Sequence, residues 1–297
     1  MGYIIHNGRS RYTPAMTDQR PSLDQYPLIE LAHKLRWFRV AKPVVSIVMP
    51  AYNEERLLLR TLQSLANQQT TLAAELVVVN NNSTDRTQEL LDRCGVRSLF
   101  VCQQGVAYAR QAGLEAARGQ YVASADADCW YPSTWIDALV SPLADAAVSG
   151  TYGLHSFMPQ SRSSRLALSV YEWFSEQAAR MRPVDREFIN VLGMNFAFRR
   201  ADALAVGGYN LDAGHRGGPL ASAPDRVAPG PCEDGRMALS LQQLGRLQCV
   251  PSRGARVWTS DRRLLNDGSL PQTLLRRARR EVVRFPRSRP VPVPPLS

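Results

Sequence analysis

Two aspartates one residue apart, Asp126 and Asp128, close the stretch Gly119-Gln-Tyr-Val-Ala-Ser-Ala-Asp-Ala-Asp. Tyr121–Ser124 just ahead of them reads as a short buried strand. On extended chain, side chains at i and i+2 point the same way, so the two carboxylates are expected on one side. Left alone they would repel. A divalent cation that also touches phosphate oxygens makes such a pair favourable. Solvated turns and helix N-caps use Asp-x-Asp too, so the pattern takes its meaning from its surroundings. Pro132, Ser133 and Thr134 mark the turn into the next helix.

The elements that must position this pair come before it. Val44–Met49 is a β-branched apolar run, as in a strand covered on both faces. It ends in Pro50-Ala-Tyr52-Asn53-Glu54-Glu55. A helix follows, with Leu57, Leu58, Thr61, Leu62 and Leu65 at helical spacing. Glu75–Val79 is a second strand, ending in Asn80-Asn81-Asn82-Ser83-Thr84-Asp85, a turn with capping residues. A helix over 88–94 stops at Gly95, a third strand spans 96–102, and a helix over 106–118 opens after Gly105. Strand and helix thus alternate three times before the Tyr121 strand. This predicts an α/β fold with a doubly wound, mostly parallel sheet, whose ligands gather at the carboxyl ends of the strands. Tyr52, Asn53, Glu54, Asn80, Asn81, Asp126 and Asp128 all fall at that edge. The first strand lacks the Gly-x-Gly-x-x-Gly of a dinucleotide site, and there is no P-loop. Phosphate must be met by something else, and a metal on the acid pair is the candidate.

Length, charge and cysteines bound the rest. A chain of 297 residues with 44% hydrophobic and 21% charged residues has an ordinary globular composition. No apolar run approaches the ~18 residues of a membrane span, and residues 1–39 hold no apolar signal core, so a cytoplasmic chain is expected. The cysteines, 94, 102, 129, 232 and 249, show no Cys-x-x-Cys spacing, which speaks against zinc and a disulfide framework. Of the net charge of +10, residues 251–297 carry most, with eleven Arg against Asp261, Asp267 and Glu281. An anionic membrane surface at the inner face, an anionic substrate and a solvated basic helix all fit that bias, and nucleic acid is the less favoured partner. A short amphipathic helix over 28–40 rests on the domain or on a membrane.

Seven motifs, in this order, resemble the inverting family-2 glycosyltransferases of the GT-A fold. They are Val48-Met-Pro-Ala-Tyr-Asn-Glu-Glu55, Val77-Val-Val-Asn-Asn-Asn-Ser-Thr-Asp85, Gly105-Val-Ala-Tyr-Ala-Arg110, Ala125-Asp-Ala-Asp128, Gly193-Met-Asn-Phe-Ala-Phe-Arg-Arg200, Gly207-Gly-Tyr209 and Glu233-Asp234. The resemblance covers roughly residues 44–263. It implies a nucleotide-binding N-terminal half and an acceptor-binding C-terminal half. By this resemblance Pro50, Tyr52 and Glu54 line the nucleoside pocket, with Tyr52 stacked on the base. Asn80 and Asn81 stand where relatives more often carry aspartates that read the base edge, which leaves the base open. Arg110 supports the phosphates, the alternative being a solvated helix arginine. Asp126 approaches the ribose or the metal, and Asp128 holds Mg²⁺ or Mn²⁺ on the diphosphate of a nucleoside-diphosphate sugar. Relatives often carry a His near the last strand. Here the stretch Ala255–Arg263 has none, though Arg262 and Arg263 are suited to grip a phosphate.

Inversion in one step needs a carboxylate to take the acceptor's proton. Glu233-Asp234 heads an expected helix over 235–244, where the helix dipole alone favours acids. With the resemblance, Asp234 is the expected base and Glu233 its neighbour. The acceptor is a hydroxyl of a glycan, a lipid-linked sugar or a small molecule. A Gly/Pro-rich stretch over 211–231 is expected to be an acceptor lid. Residues 161–180 are an amphipathic helix in which Trp173 and Phe174 are expected in the core rather than as a sugar platform. The expected organisation is an N-terminal extension (1–42), a GT-A domain (43–263), a basic helix (264–284) and a Pro-rich tail (285–297). The competing readings are a nucleotidyltransferase making the activated sugar, which wants a glycine-rich Arg/Lys loop absent here, and a non-catalytic protein binding an anionic partner.

Overall fold

The structure, a computed structural model, describes residues 28–159, 165–209 and 232–261. The expected lid, the basic helix, the tail, and Arg262 and Arg263 lie outside the described residues.

Four parallel strands make the first half of the main sheet: β1 (Val45–Ala51), β2 (Ala74–Asn80), β3 (Arg97–Phe100) and β4 (Tyr121–Ser124). They alternate with α2 (Leu58–Ala66), α3 (Thr87–Cys94) and α4 (Val106–Ala116). Every residue of β2 is buried, as is all of β1 except the half-buried Pro50. Full burial on both faces is why these strands read as continuous apolar runs. The chain then forms the two-residue strand β5 (Cys129–Trp130), α5 (Trp135–Val140), β6 (Val148–Gly153), β7 (His155–Met158) and α6 (Arg165–Arg180). The last elements among the described residues are β8 (Phe196–Arg199), α7 (Arg200–Ala205), α8 (Glu233–Leu241), β9 (Arg246–Val250) and β10 (Val257–Ser260).

The main sheet has seven strands in the order β3-β2-β1-β4-β8-β6-β9. Only β8 runs against the rest, antiparallel to both β4 and β6. A second sheet, β5-β10-β7, sits beside the end of β4. Its β10 pairs Thr259 with Cys129 in antiparallel register, which sets β10 beside the acid turn.

One core packs α1 (Leu28–Leu35), α2, α3 and α5 against the sheet, through Leu28, Leu31, Leu35, Leu62, Leu90 and Trp135. The N-terminal amphipathic helix therefore rests on the domain: α1 covers α2 and α3. It is shorter than expected, because the chain tightens into a 3-10 turn at Arg36–Phe38. On the other face, α4, α7 and α8 meet around Leu114, Phe196, Phe198, Tyr209, Met237 and Leu241. All five cysteines are free. Among the described residues no helix is long and apolar enough to cross a membrane.

Candidate functional site

The carboxyl ends of β1 and β2 are laced together loop to loop. Asn53, at φ 54°, accepts on Oδ1 from the backbone N–H of Thr84 at 2.8 Å, and its own N–H donates to Ser83 Oγ at 3.0 Å. The N–H of Glu54 donates to Thr87 Oγ1, that of Glu55 to Asp85 Oδ2, and that of Arg86 to Glu55 Oε2. Asparagine suits this corner because it tolerates the left-handed conformation and its amide bonds locally. Asp85, one residue ahead of the helix cap, also accepts the N–H of Thr87 at the head of α3. Tyr52 stands clear of this lattice, 46% exposed, while Glu54 is buried.

Asn80 and Asn81 are both buried and their side chains are engaged with the chain itself. Asn80 donates to Gln88 Oε1 and accepts from the N–H of Ser83. Asn81 donates to the carbonyls of Val101 and Gln103 and accepts from the N–H of Gly105 at 2.7 Å. They brace the walls of the edge. Gly105 opens α4 at φ 144°, a conformation that side chains resist.

Asp126 and Asp128 lie in the turn between β4 and β5, not on extended chain, so strand alternation does not orient them. The turn is held from three directions. Tyr131 Oη accepts the N–H of Asp126 at 2.8 Å and lies 3.2 Å from the carbonyls of both Asp126 and Met194. Thr61 Oγ1, from α2, reaches the carbonyls of Ala127 and Cys129 at 2.8 and 2.7 Å. Ser64 Oγ accepts the N–H of Tyr131. Burial, with the neighbouring acids, drives the Tyr131 hydroxyl and the Cys129 thiol well above their ordinary pKa, so both stay protonated. Asp128 is buried, its Oδ1 3.6 Å from Cys129 Sγ.

Arg110 is the hub, and it is not a solvated helix residue: its guanidinium is buried at the centre of the edge. It donates to Asp126 Oδ1 at 2.8 Å, to Ser124 Oγ at 2.5 Å and to the carbonyl of Gly193 at 3.3 Å. Its Nε lies 3.1 Å from Asp234 Oδ1 and 4.0 Å from Glu233 Oε1. Burial alone would lower the Arg110 pKa, but the carboxylates of Asp234 and Asp126 raise it, so the cation is permanent. Gly193 donates its N–H to Asp234 Oδ2 at 2.8 Å. A Cβ at Gly193 would collide with both Asp234 and Arg110, so glycine is what lets this segment pass.

The structure therefore brings together, on one guanidinium, an acid of the turn after β4 and the acids at the head of α8. That helix begins at Glu233, two residues earlier than expected, which puts both acids in its first turn. Asp234 is buried, and burial pushes its pKa up to about 6 against the pull of Arg110, with Glu233 and Asp126 adding to the rise. Among the described residues its Oδ1 has no hydrogen-bond partner despite the nearby Nε.

Sequence reasoning missed Thr61, Ser64 and Tyr131. Their signals were an interior threonine and serine on an apolar helix, and a tyrosine three residues after the acid pair. It also placed Trp173 and Phe174 in the core. Both are exposed, because α6 turns Leu168, Tyr171 and Glu172 inward instead.

Against known proteins, residues 46–206 match the model of glycosyl transferase family 2. The glycosyltransferase GlyA of Streptococcus pneumoniae is 32% identical over 120 residues, 37% of this chain and 17% of that protein. The chain spans less than half the length of this and the other curated relatives it matches. Among solved structures, the mannosyltransferase PcManGT of Pyrobaculum calidifontis, in complex with GDP-Man and Mn²⁺, superposes with a TM-score of 0.55. It is 20% identical, covering 85% of this chain and 72% of its own. GalNAc-T7, solved with UDP, GalNAc and Mn²⁺, gives 0.53 at 19% identity over 74% of this chain and 44% of its own. These likenesses fix the architecture as GT-A. With the family model matching more than half of its residues, the chain belongs to glycosyl transferase family 2.

Proposed function

We propose that the chain moves one sugar from a nucleoside-diphosphate sugar to an acceptor hydroxyl, with inversion at the sugar carbon and Asp234 as general base. The observation that carries this reading is the buried Arg110, which holds Asp126 of the donor-side turn and Asp234 of the acceptor-side helix on one cation. In the reaction the acceptor oxygen attacks the sugar carbon, its proton passes to Asp234, and the bond to the diphosphate breaks with the electron pair leaving on oxygen. A base with a pKa near 6 is ionised at neutral pH yet still basic enough to share the proton in the transition state. Arg110 and the N–H of Gly193 hold that base in place, and Glu233 is its neighbour in the acceptor site.

Pro50, Tyr52 and Glu54 form the nucleoside end in this reading, with the exposed Tyr52 ring free to stack on the base. Asn80 and Asn81 serve by shaping the pocket walls. The residues fit a divalent metal: Asp128 and Asp126 offer the hard oxygen donors that Mg²⁺ and Mn²⁺ prefer. Among the described residues no third His, Cys, Asp or Glu joins them, so donor oxygens and water would complete the shell. Bound there, the ion would stabilise the negative charge that develops on the departing diphosphate. The solved relatives carry GDP-Man or UDP with Mn²⁺, so guanine and uracil are both donor bases to test.

The test is thermal unfolding with UDP, GDP, dTDP and CMP, each with and without Mn²⁺, on wild type and Asp128→Ala. A ligand at 100 times its Kd adds about 2.7 kcal/mol. One nucleotide stabilising wild type only with Mn²⁺, and Asp128→Ala not at all, is the expected result. No stabilisation by any nucleotide in a folded protein would sink the reading.

A further inference from the structure

Helix α6 carries an apolar face that nothing among the described residues covers. Leu166, Val170, Trp173, Phe174 and Met181 fall on one side of the helix by their spacing, and all are exposed. Met181, just past the last turn, is 84% exposed, Leu166 75%, Trp173 57% and Phe174 56%. The opposite side, Leu168, Tyr171 and Glu172, is the buried one. Trp173 and Phe174 stand edge to face with centroids 4.9 Å apart, a single aromatic wedge on the surface.

The charges around this face are not neutral in sign. Both acids of the helix are neutralised from within: Glu172 pairs with Arg165 and Glu176 with Arg256, each at 2.6 Å. Arg180 is the helix's exposed charge, beside the apolar stripe, and Asp185 is an exposed acid beyond its end. The basic stretch of the chain starts at the same place. β10 runs parallel to β7, pairing Ser260 with Met158, and the N–H of Asp261 faces the Met158 carbonyl. α6 packs against β7. The described residues end at Asp261, close to the start of α6, where Arg165 donates to the Phe157 carbonyl and lies over the Trp258 ring, and nine of the eleven arginines of residues 251–297 follow in the sequence.

An exposed Trp/Phe/Leu/Met face on a helix whose own acids are both paired, in a chain whose C-terminal sequence is strongly cationic, has the composition of a helix that lies in a lipid interface. We propose that α6 is a membrane-docking element, its apolar face entering the headgroup boundary of an anionic bilayer. Attachment would be peripheral. The proposal does not depend on the sugar-transfer reading, since it concerns a surface outside the Arg110 site.

The experiment is co-sedimentation of the full chain with vesicles of phosphatidylcholine alone and of phosphatidylcholine mixed with phosphatidylglycerol. Pelleting with the mixed vesicles only is expected. Trp173→Glu combined with Phe174→Glu is expected to weaken vesicle affinity by about tenfold or more, as for loss of an inserted apolar wedge. These side chains are exposed, so the variant should melt as wild type does. As a second readout, lipids brominated in the acyl chain should quench tryptophan emission in wild type, and the quenching should fall in Trp173→Phe while binding persists. Three results would overturn the proposal: no pelleting with anionic vesicles, undiminished binding by the double variant, or a dimer that the double variant converts to monomer. The last would make the face a contact between two copies.

Discussion

Two ion clusters, each around a buried group, sit at opposite ends of the same parallel strands, and they are built in opposite ways. At the amino end, one carboxylate, Glu75, receives Ser46 Oγ at 2.7 Å, Arg97 at 2.8 Å and Arg118 at 2.6 Å. Burial would raise the Glu75 pKa, but the hydrogen bonds from Arg118 and Ser46 outweigh it and hold it below the usual value. At the carboxyl end, one guanidinium, Arg110, faces Asp126, Asp234 and Glu233, and Asp234 is left with a raised pKa and, among the described residues, an oxygen without a hydrogen bond. A surplus of donors around one acid makes a cluster that is satisfied. A surplus of acids around one cation makes a cluster that has a reason to take up a proton or a positive charge. The difference separates a structural brace from a candidate site more sharply than burial does, since the carboxylates of Glu75 and Asp234 are both buried.

Four measurements can break or sharpen that contrast. The largest effect is expected on rate. Asp234→Asn should lower kcat by about 10²–10⁴-fold, the range for losing a general base, with little loss of fold because the amide can still bond to the N–H of Gly193. Transfer assays with wild-type-like rates in Asp234→Asn would put the base elsewhere. Next is Arg110→Met. It leaves three carboxylates facing one another without their cation and should destabilise by about 3–5 kcal/mol in denaturant unfolding, the cost of breaking a buried pair from one side. Glu75→Gln should cost less, about 1.5–3 kcal/mol as for a lost charged hydrogen bond, since Arg97 and Arg118 are each partly exposed and can turn to water. It should leave kcat unchanged. If Glu75→Gln proved as costly as Arg110→Met, the proposed distinction between brace and site would fail.

How much of this was legible beforehand follows from the same geometry. β1, β2 and β4 could be placed within two residues because strands buried on both faces leave unbroken apolar runs, and Gly95 and Gly105 punctuate the helices. Glu233, Asp234, Asp126 and Asp128 could be nominated from type, spacing and resemblance. Their meeting on Arg110 could not, since it joins residues 110, 126 and 234 through the antiparallel insertion of β8 and the passage of Gly193, neither of which has a local signature. The engagement of Asn80 and Asn81 with loop carbonyls was equally invisible, because an amide that reads a base and one that braces a loop look alike in sequence. The outward face of α6 was misjudged because amphipathic spacing identifies two faces without saying which one the fold buries.

The last contrast is of sign, and the smallest per step, since one group contributes at most about 1.4 kcal/mol per pH unit. Glu75 is held low in the folded chain, so its contribution is present above the ordinary glutamate range and is lost as pH falls through its lowered folded value. Asp234 is the reverse. Its folded value of about 6 lies above the unfolded 3.8, so the folded state binds the extra proton between them. Its contribution is full below pH 3.8 and is lost as pH rises through about 6. Unfolding free energy measured by urea from pH 3 to 8 should therefore respond to the two variants in different windows. Glu75→Gln should flatten the acid-side rise below about pH 4.5, and Asp234→Asn should remove a decline between about pH 4 and 6. Both variants altering the same limb in the same direction would mean that Arg110 neutralises Asp234 as completely as Arg118 neutralises Glu75. The carboxyl-end cluster would then be a second brace.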